Sequence, residues 1–369
     1  MPTLAAVPFV HQYVTPSVEQ CANSAAFNSF VSQLPAFSLV NLTGKTVDCE
    51  EGPVCIVDRS DLTFLGGTFT QRTDGSKVGP KAWFEGLSRD WPRNRSTVAL
   101  LRSERVSFIQ TRVVGPNDGT YLGQLFEEQG GFYLRHCKDV SLLSCSVEGV
   151  FGDAVCVIHE VANRLPCERI TIEGLRAKNI GRNFVALVSV VDFSLFGLFG
   201  QKCGRSGLNI EPAVAANKIR SVLFSNVVLF GVGGATIGNL GASNDVGDLV
   251  FQDVRSVDKP LAVSCAGRVD QPGRRSGYVF ERVVGGGLSN GIPFRISDVD
   301  SIVVRDVFQR VAGLLMNGSK VVYPGVGFRG VNLCGLVAER TDFLKGKSVA
   351  VTGDVVPFDL VNCVGVNLS

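Results

Sequence analysis

The most regular feature of this sequence is a short apolar pair, two apolar residues separated by one other, that recurs nine times at intervals of 23 to 44 residues. The pairs are Leu62/Phe64, Val106/Phe108, Val140/Leu142, Ile170/Ile172, Phe193/Leu195, Val222/Phe224, Leu249/Phe251, Tyr278/Phe280 and Ile302/Val304. A period of two residues indicates a β-strand, because an α-helix repeats every 3.6 residues. Strand-built units that recur every 20 to 50 or so residues are typical of a solenoid, in which each unit buries its apolar side against a neighbour. The pattern predicts an all-β right-handed parallel β-helix.

A second apolar strand accompanies the pair within several repeats. Its copies are AVCV at 154, FVAL at 184, GLNI at 207, ATIG at 235 and LAVS at 261. In a parallel β-helix, equivalent residues on successive turns of the chain, here called rungs, stack about 4.8 Å apart. We therefore expect Asp153, Asn183 and Ser206 to form a polar line at the entrance to these strands. Alternation along the strand should turn Asn209 and Glu211 outward.

The pattern divides the chain into three predicted segments. Residues 1–38 form an arm and a capping helix, because Ser17 and Gln20 match a capping box. Apolar residues continue at roughly helical spacing up to Leu34, namely Val18, Cys21, Ala25 and Phe30. Residues 39–315 form the parallel β-helix, and residues 316–369 form terminal rungs or a C-terminal cap. The apolar stretch 184–200 predicts two buried strands, since Asp192 interrupts it and it is too short to span a membrane.

Composition fits a long apolar interior. Hydrophobic residues make up 45% of the chain and charged residues only 19%, and the 42 glycines suit the many tight turns of a solenoid. The net charge is +2 without a basic block, which disfavours nucleic acid and anionic membranes as partners. The eleven cysteines show no CxxC pair or zinc spacing. They are interpreted as reduced structural thiols, and no cofactor or metal is predicted, except Ca²⁺ if the protein is a lyase.

Carboxyl residues near the predicted polar line are the candidates for catalysis. Cleavage of a glycosidic bond uses two carboxyl groups about 5–5.5 Å apart for retention or about 6.5–9.5 Å apart for inversion. One or two rungs supply such separations, so Asp153 and Glu211 are the leading pair. Glu128 and its neighbour Glu127, in LFEEQGG, are the next candidates. The structural alternative is that Asp153 bonds backbone N–H groups of its turn and that Glu211, before Pro212, is a surface residue.

Polar residues of the same turns are candidates for substrate binding. The predicted set is Arg182, Asn183, Arg205 and Asn209. Arg182 and Arg205 occupy the same turn on adjacent rungs, where they could hold an acidic sugar or act as the base of a lyase. The alternative is that both are surface arginines paired with Glu173 or Glu211.

A loop predicted over residues 73–97 carries both tryptophans, Trp83 and Trp91. Aromatic faces stack on the apolar face of a pyranose, so these side chains could form a platform for a sugar. The alternative is a small apolar core that covers the wall of the β-helix.

The segment from residue 128 to 212 also carries a set of motifs in a fixed order. It contains EQGG, FGDAV, IGR, CGR and LNIEP. These resemble the motifs of the pectate-lyase-like β-helix proteins of actinobacteria and their phages, which are an EAQHG segment, a GDGV turn, a GR turn and an IDIEP strand. The resemblance implies a carbohydrate-facing groove, and residue by residue it points to Glu128, Asp153, Arg182 and Glu211. The sequence departs from the family at Gly131, near the expected histidine, and at Asn209, which replaces an aspartate.

The resemblance favours a phage tail-associated protein, minor tail or tailspike-like, that binds and in an active form cleaves host cell-envelope polysaccharide. A virion protein folds in the host cytoplasm and is released by lysis, so it needs neither an export signal nor disulfides. Expected partners are host cell-wall polysaccharide, other tail proteins and two further copies in a homotrimer, without membrane insertion. Two alternatives remain open: a non-catalytic structural tail protein acting as a spacer, and a free bacterial polysaccharide lyase or hydrolase.

Overall fold

The computed structural model describes residues 12–50, 52–71, 96–159, 164–213, 215–240, 245–258, 263–266, 275–285, 294–297, 299–309, 328–331, 334–339 and 359–361. The predicted tryptophan loop lies outside these residues up to residue 95, which includes Trp83 and Trp91. In the first third of the chain the strands are β1 (Gln12–Val14), β2 (Ser38–Asn41), β3 (Thr46–Asp48), β4 (Val54–Val57), β5 (Ser60–Leu65), β6 (Thr68–Thr70), β7 (Val98–Leu101), β8 (Glu104–Ile109) and β9 (Arg112–Val114). The single α-helix of the described residues, α1, spans Ser24–Ser32.

The remaining strands follow in two groups. The central ones are β10 (Phe132–Arg135), β11 (Lys138–Leu143), β12 (Ser146–Glu148), β13 (Val155–Ile158), β14 (Cys167–Ile180), β15 (Val185–Leu187), β16 (Val190–Cys203), β17 (Leu208–Ile210), β18 (Ile219–Val232), β19 (Ile237–Leu240) and β20 (Val246–Ser256). The last are β21 (Val263–Ala266), β22 (Arg275–Glu281), β23 (Val284–Gly285), β24 (Phe294–Ser297), β25 (Val299–Arg305), β26 (Phe308–Gln309), β27 (Phe328–Val331), β28 (Cys334–Glu339) and β29 (Asp359–Val361).

The strands form two parallel sheets that wind around one apolar interior. Ten short strands make the first, called the short-strand sheet: β4, β7, β10, β13, β15, β17, β19, β21, β24 and β27. The other nineteen make a continuous second sheet, called the long sheet. Every pairing between described strands is parallel, for example Val155 with Val185 and Val185 with Leu208. The prediction of a right-handed parallel β-helix is confirmed.

Left-handed backbone conformations bend the chain on both sides of each apolar pair. The residue before the pair has a φ of 52 to 60° in seven successive rungs: Asp61, Arg105, Asp139, Arg169, Asp192, Ser221 and Asp248. The residue four positions after the first member of the pair is also left-handed, for example Gly66, Gln110 and Asn226. Such φ values are uncommon outside glycine. Because the pair lies between two bends, both of its side chains point into the interior.

The bends also carry charged pairs across rungs. Arg105 donates to both carboxylate oxygens of Asp61, at 2.6 and 3.0 Å, and Arg169 does the same to Asp139, at 2.6 and 2.8 Å. Phenylalanines stack inside the same rungs. The rings of Phe224 and Phe251 are 5.4 Å apart, with an angle of 6° between their planes. Charge alternation outside and aromatic stacking inside therefore hold successive rungs in the same register.

The N-terminal segment differs in detail from its prediction. The Ser17–Gln20 capping box forms, with Ser17 N donating to Gln20 Oε1 and Gln20 N to Ser17 Oγ, but it opens a short 3₁₀ turn over Glu19–Cys21. The α-helix begins only at Ser24, because Asn23 Oδ1 accepts the N–H of Ala26 and restarts helical geometry. Phe27 packs against Phe64 and Phe69 of the first rungs, with ring centroids 6.3 and 5.6 Å away.

The apolar stretch 184–200 forms β15 and the first part of β16. Within the described parts of the chain, no helix has the length and hydropathy needed to cross a lipid bilayer.

The eight cysteines whose side chains are described are free thiols: Cys21, Cys49, Cys55, Cys137, Cys145, Cys156, Cys167 and Cys203. The boundaries at residues 38 and 315 stay predictions.

Candidate functional site

The predicted polar line exists at the entrance to the short-strand sheet. Backbone N and side-chain Nδ2 of Asn183 donate to Oδ1 of Asp153, at 3.0 and 2.8 Å. Backbone N of Ser206 donates to Oδ1 of Asn183 at 2.9 Å. The three residues therefore lie on successive rungs as the register predicts, and the side chains of Asp153 and Asn183 each accept a bond from the next rung.

The guanidinium of Arg182 joins three carboxylates around this line. Its Nη1 donates to Oδ2 of Asp153 at 2.9 Å, and its Nη2 donates to Oε2 of Glu211 at 2.6 Å. Its Nε lies 3.4 Å from Oε1 of Glu127. Arg182 is 9% exposed and Asp153 only 2%. The sequence predicts, as one alternative, that an arginine of this turn pairs with Glu211, and Arg182 does so. Arg182 also pairs with Asp153 and Glu127.

Glycines at one corner of the rungs bring the backbones of this region close together. A Cβ on Gly152 would lie 2.3 Å from the carbonyl oxygen of Glu127, and one on Gly204 would lie 2.3 Å from that of Gly181. Arg205 N donates to the carbonyl of Arg182 at 2.9 Å, so the two arginines occupy the same turn on adjacent rungs, as predicted. The glycines thus let the loop before β10 lie directly on the rungs that carry the arginines.

That loop, residues 115–131, supplies the remaining acidic residues. The Tyr121 hydroxyl donates to Oε1 of Glu127 at 2.6 Å, and Nη1 of Arg205 donates to the same oxygen at 3.0 Å. The Arg205 guanidinium lies over the Tyr121 ring, 5.2 Å from its centroid. Glu127 is therefore the acidic residue of the loop that binds the arginine turn, and Glu128 is exposed beside it.

Burial and charge act in opposite directions on the titration of this cluster. Burial raises the pKa of Asp153, while Arg182 and the Asn183 donors act to lower it. Burial alone would lower the pKa of Arg182, but Asp153, Glu211 and Glu127 raise it overall. Arg182 therefore stays protonated. Because a protonated arginine cannot accept a proton from a sugar carbon, this geometry does not suit it to the role of a lyase base.

An open pocket of about 200 Å³ lies over the cluster. Charged side chains in its lining are Glu127, Glu128, Asp153, Arg182 and Glu211. Tyr133 and Cys156, from the outward face of the short-strand sheet, also line it. When Arg205, which is bonded to Glu127, is included, the pocket has four carboxylates and two guanidinium groups. The pocket is net acidic.

Asn209 has a defined part in this arrangement. Its Nδ2 donates to Oε2 of Glu211 at 2.8 Å. An aspartate here, as in the family that the sequence resembles, could not donate that bond when ionised and would repel Glu211. The asparagine at residue 209 therefore helps to hold Glu211, whose carboxylate accepts one bond from Arg182 and one from the Asn209 amide.

The structure brings together all but two of the predicted site residues, the exceptions being the undescribed Trp83 and Trp91. The sequence does not point to Tyr121 or Tyr133, and it ranks Glu127 below the leading pair of Asp153 and Glu211. The only sequence signal for Glu127 was its acidic neighbourhood in LFEEQGG. Among the described residues, no group of three or more His, Cys, Asp or Glu side chains is arranged to hold a metal ion.

Comparison with solved structures places the fold among known β-helices. The family 28 exopolygalacturonase of Yersinia enterocolitica superimposes with a TM-score of 0.57 at 9% identity, over 96% of this chain and 78% of that one. The A-module of the mannuronan C-5 epimerase AlgE6 of Azotobacter vinelandii does so with a TM-score of 0.50 at 8% identity, over 94% and 96%. The sequence matches no protein-family model and none of the curated proteins. What this chain shares with these two proteins is the right-handed parallel β-helix.

Proposed function

We propose that the protein binds a polysaccharide in the pocket over Asp153, Arg182 and Glu211. The observation that carries this proposal is the concentration of outward polar side chains and one tyrosine around a single open pocket on an otherwise apolar sheet. Carboxylates and amides there can bond sugar hydroxyls, and Ile158 and Val188 supply apolar lining. The two solved structures that share the fold carry names of polysaccharide-acting proteins, which agrees with this proposal.

The charge of the pocket favours a neutral or amino-bearing glycan over a polyuronate. Arg182 is already surrounded by Asp153, Glu211 and Glu127, and Arg205 is bonded to Glu127. Arg182 is therefore not available to a carboxylate of the ligand without the loss of an existing ion pair, and Arg205 offers only the part of its guanidinium that Glu127 leaves free. An acidic sugar would also meet the exposed carboxylates at the pocket rim.

Hydrolysis of the bound glycan is the second candidate function. It is favoured by the presence of Glu211 and Glu128 at the exposed rim of the same pocket, where two carboxyl groups could flank a glycosidic oxygen. Asp153 is buried and accepts three hydrogen bonds, so we assign it the positioning of Arg182 rather than contact with the sugar.

The biological setting is proposed on the motif resemblance alone. In that setting the protein belongs to a phage tail, assembles as a homotrimer with other tail proteins, folds in the host cytoplasm and binds host cell-wall polysaccharide. It would need no cofactor, or Ca²⁺ in the lyase alternative. A structural spacer in the tail and a free bacterial enzyme are the competing settings.

The test is binding to immobilised cell-wall polysaccharide purified from actinobacteria, together with release of reducing ends. We expect Glu211→Gln to weaken binding about tenfold, because a charge-assisted bond to a hydroxyl is lost. Glu173→Gln is the matched control, since Glu173 is an exposed glutamate of the long sheet. Equal binding by wild type and both variants would contradict the pocket as the site.

The same assay separates binding from hydrolysis. Reducing ends released by wild type but not by Glu211→Gln, without formation of an unsaturated sugar, would establish hydrolysis, because a lyase also releases reducing ends but leaves a double bond in its product. No release by either protein, with binding retained in the wild type, would leave a binding protein and remove the second candidate.

A further inference from the structure

The long sheet presents an exposed aromatic pair on its outward face, separate from the sheet that carries Glu211. Phe199 of β16 is 48% exposed. Its ring centroid lies 5.5 Å from that of Phe230 on β18, with an angle of 52° between the planes. The neighbouring outward residues Gln201 and Lys202 are polar and exposed. The pair is thus a small aromatic surface in a polar surrounding.

The register aligns this surface with two arginines. Arg176, Phe199, Val228 and Arg255 are direct partners on four successive rungs. Adjacent strands are about 4.8 Å apart, so the two arginines lie roughly 14 Å from each other along a straight row with the aromatic surface between them.

These two arginines differ from others on the long sheet. Arg112, Arg169 and Arg282 each form an ion pair with an aspartate or glutamate of a neighbouring rung. Arg176 and Arg255 are exposed, and neither forms an ion pair with a carboxylate in the part of the chain that the structure describes. Their charges are therefore open to an external anion.

We propose that the row Arg176–Phe199–Val228–Arg255 binds an acidic polysaccharide. The apolar face of one sugar stacks on Phe199, and anionic groups of flanking sugars pair with Arg176 and Arg255, whose guanidinium groups suit planar, bidentate binding of carboxylates. A straight, flat row that crosses four rungs matches an extended linear polymer. The ligand differs in charge from the one proposed for the acidic pocket, so this is a second site.

Two other occupants fit less well. A membrane surface is disfavoured, because one half-exposed ring beside Gln201 and Lys202 gives little apolar area to insert. A stable protein partner is disfavoured as well, since a specific interface buries about 1,000 Å² or more, far beyond two rings and a valine.

The experiment measures binding of the full chain to sodium polygalacturonate by affinity electrophoresis, with dextran as the neutral polymer. We expect the wild type to be retarded by polygalacturonate and not by dextran, and added salt to weaken the effect. Phe199→Ser and the double variant Arg176→Gln/Arg255→Gln should each lose at least about tenfold in affinity. The double variant Arg169→Gln/Arg282→Gln, which also removes two positive charges but at arginines that are ion-paired, should bind as wild type.

Three results would overturn the proposal: no retardation of the wild type, equal retardation of all variants, or equal binding to dextran. Binding to vesicles of phosphatidylserine and phosphatidylcholine that is lost in Phe199→Ser, without binding to polygalacturonate, would assign the row to a membrane instead. Circular dichroism of each variant establishes that it is folded. Glu211→Gln should keep its affinity for polygalacturonate, so failure of one site is distinguishable from failure of the other.

Discussion

Arg182 determines the geometry of the candidate site. One guanidinium holds Asp153, Glu211 and Glu127, which come from three different parts of the chain. A guanidinium is planar and presents several donors in a fixed arrangement, so it sets the relative positions of the carboxylates it binds. The exposed rim of the pocket therefore depends on a residue that is itself almost buried.

Substitution of Asp153 tests this dependence. Asp153→Asn leaves the buried guanidinium of Arg182 without its most enclosed partner, and loss of one member of a buried ion pair typically costs about 3–5 kcal/mol of the free energy of unfolding. We expect a loss near the lower end, since Glu211 and Glu127 remain. Urea denaturation measures it.

The matched control is Asp139→Asn. Asp139 makes a bidentate pair with Arg169, at 2.6 and 2.8 Å, but the arginine is 49% and the aspartate 35% exposed. Exposed pairs contribute only up to about 1 kcal/mol. Similar losses in the two variants would show that the Arg182 cluster is no more important to stability than a surface pair.

At the residue scale, the sequence predicts positions better than it predicts contacts. The period places Asp153, Asn183 and Ser206 on one line because strand pairing makes equivalent residues stack. It does not show that Arg182 reaches Glu127, since that contact depends on the path of a loop and on the rotamer of a long side chain. The left-handed φ of Arg105 and Arg169 was equally out of reach, because arginine has no intrinsic preference for it.

At the scale of elements, the loop before β10 and the glycine corners form one unit. A Cβ on Gly204 would lie 2.7 Å from Cβ of Tyr121, and a Cβ on Gly181 would lie 2.7 Å from Nδ2 of Asn117. Asn117 in turn accepts the N–H groups of Gly119 and Thr120. The loop therefore packs so closely against Gly181 and Gly204 that a side chain at either position would collide with it.

Gly204→Ala should move this loop away from the arginine turn. The added methyl group meets backbone atoms of Gly181 and Tyr121, and overpacking of this kind costs about 1–3 kcal/mol. We expect a lower melting temperature and weaker glycan binding, because Tyr121 and Glu127 shift together. Thermal unfolding and the polysaccharide binding assay measure the two effects.

Gly52→Ala is the matched control for that substitution. A Cβ at Gly52 meets no atom within 4 Å, so neither stability nor binding should fall. If Gly204→Ala bound glycan as well as Gly52→Ala does, the loop would not contribute to the pocket.

At the scale of the whole molecule, the fold was predictable because a solenoid repeats one physical requirement. Each rung must bury an apolar pair, so the pattern recurs with every turn and survives loops of different lengths. The start of α1 was less predictable, since a capping box can open a 3₁₀ turn as well as a helix. The pocket depends on one loop that occurs once, and the period carries no information about it.

The same repetition makes a prediction about unfolding. In a solenoid each rung contacts only its neighbours, so stability is close to a sum of local terms and opening can begin at an end. Cys49, Cys145 and Cys203 lie at increasing distances from the N-terminus and are 4%, 1% and 2% exposed. Burial raises the pKa of Cys145 and of Cys203 to about 12, so both are protonated and enclosed at pH 8.

Their labelling by a thiol reagent therefore reports local opening. In urea below the main transition, we expect mass spectrometry after pulse labelling to show modification of Cys49 before Cys145 and Cys203, because the rung of Cys49 has another rung on one side only and is covered on the other by the nine-residue helix α1. Full denaturation should label all three at equal rates, which serves as the control. Simultaneous labelling at every urea concentration would instead mean that the rungs unfold as one cooperative unit, stabilised by contacts that reach beyond nearest neighbours.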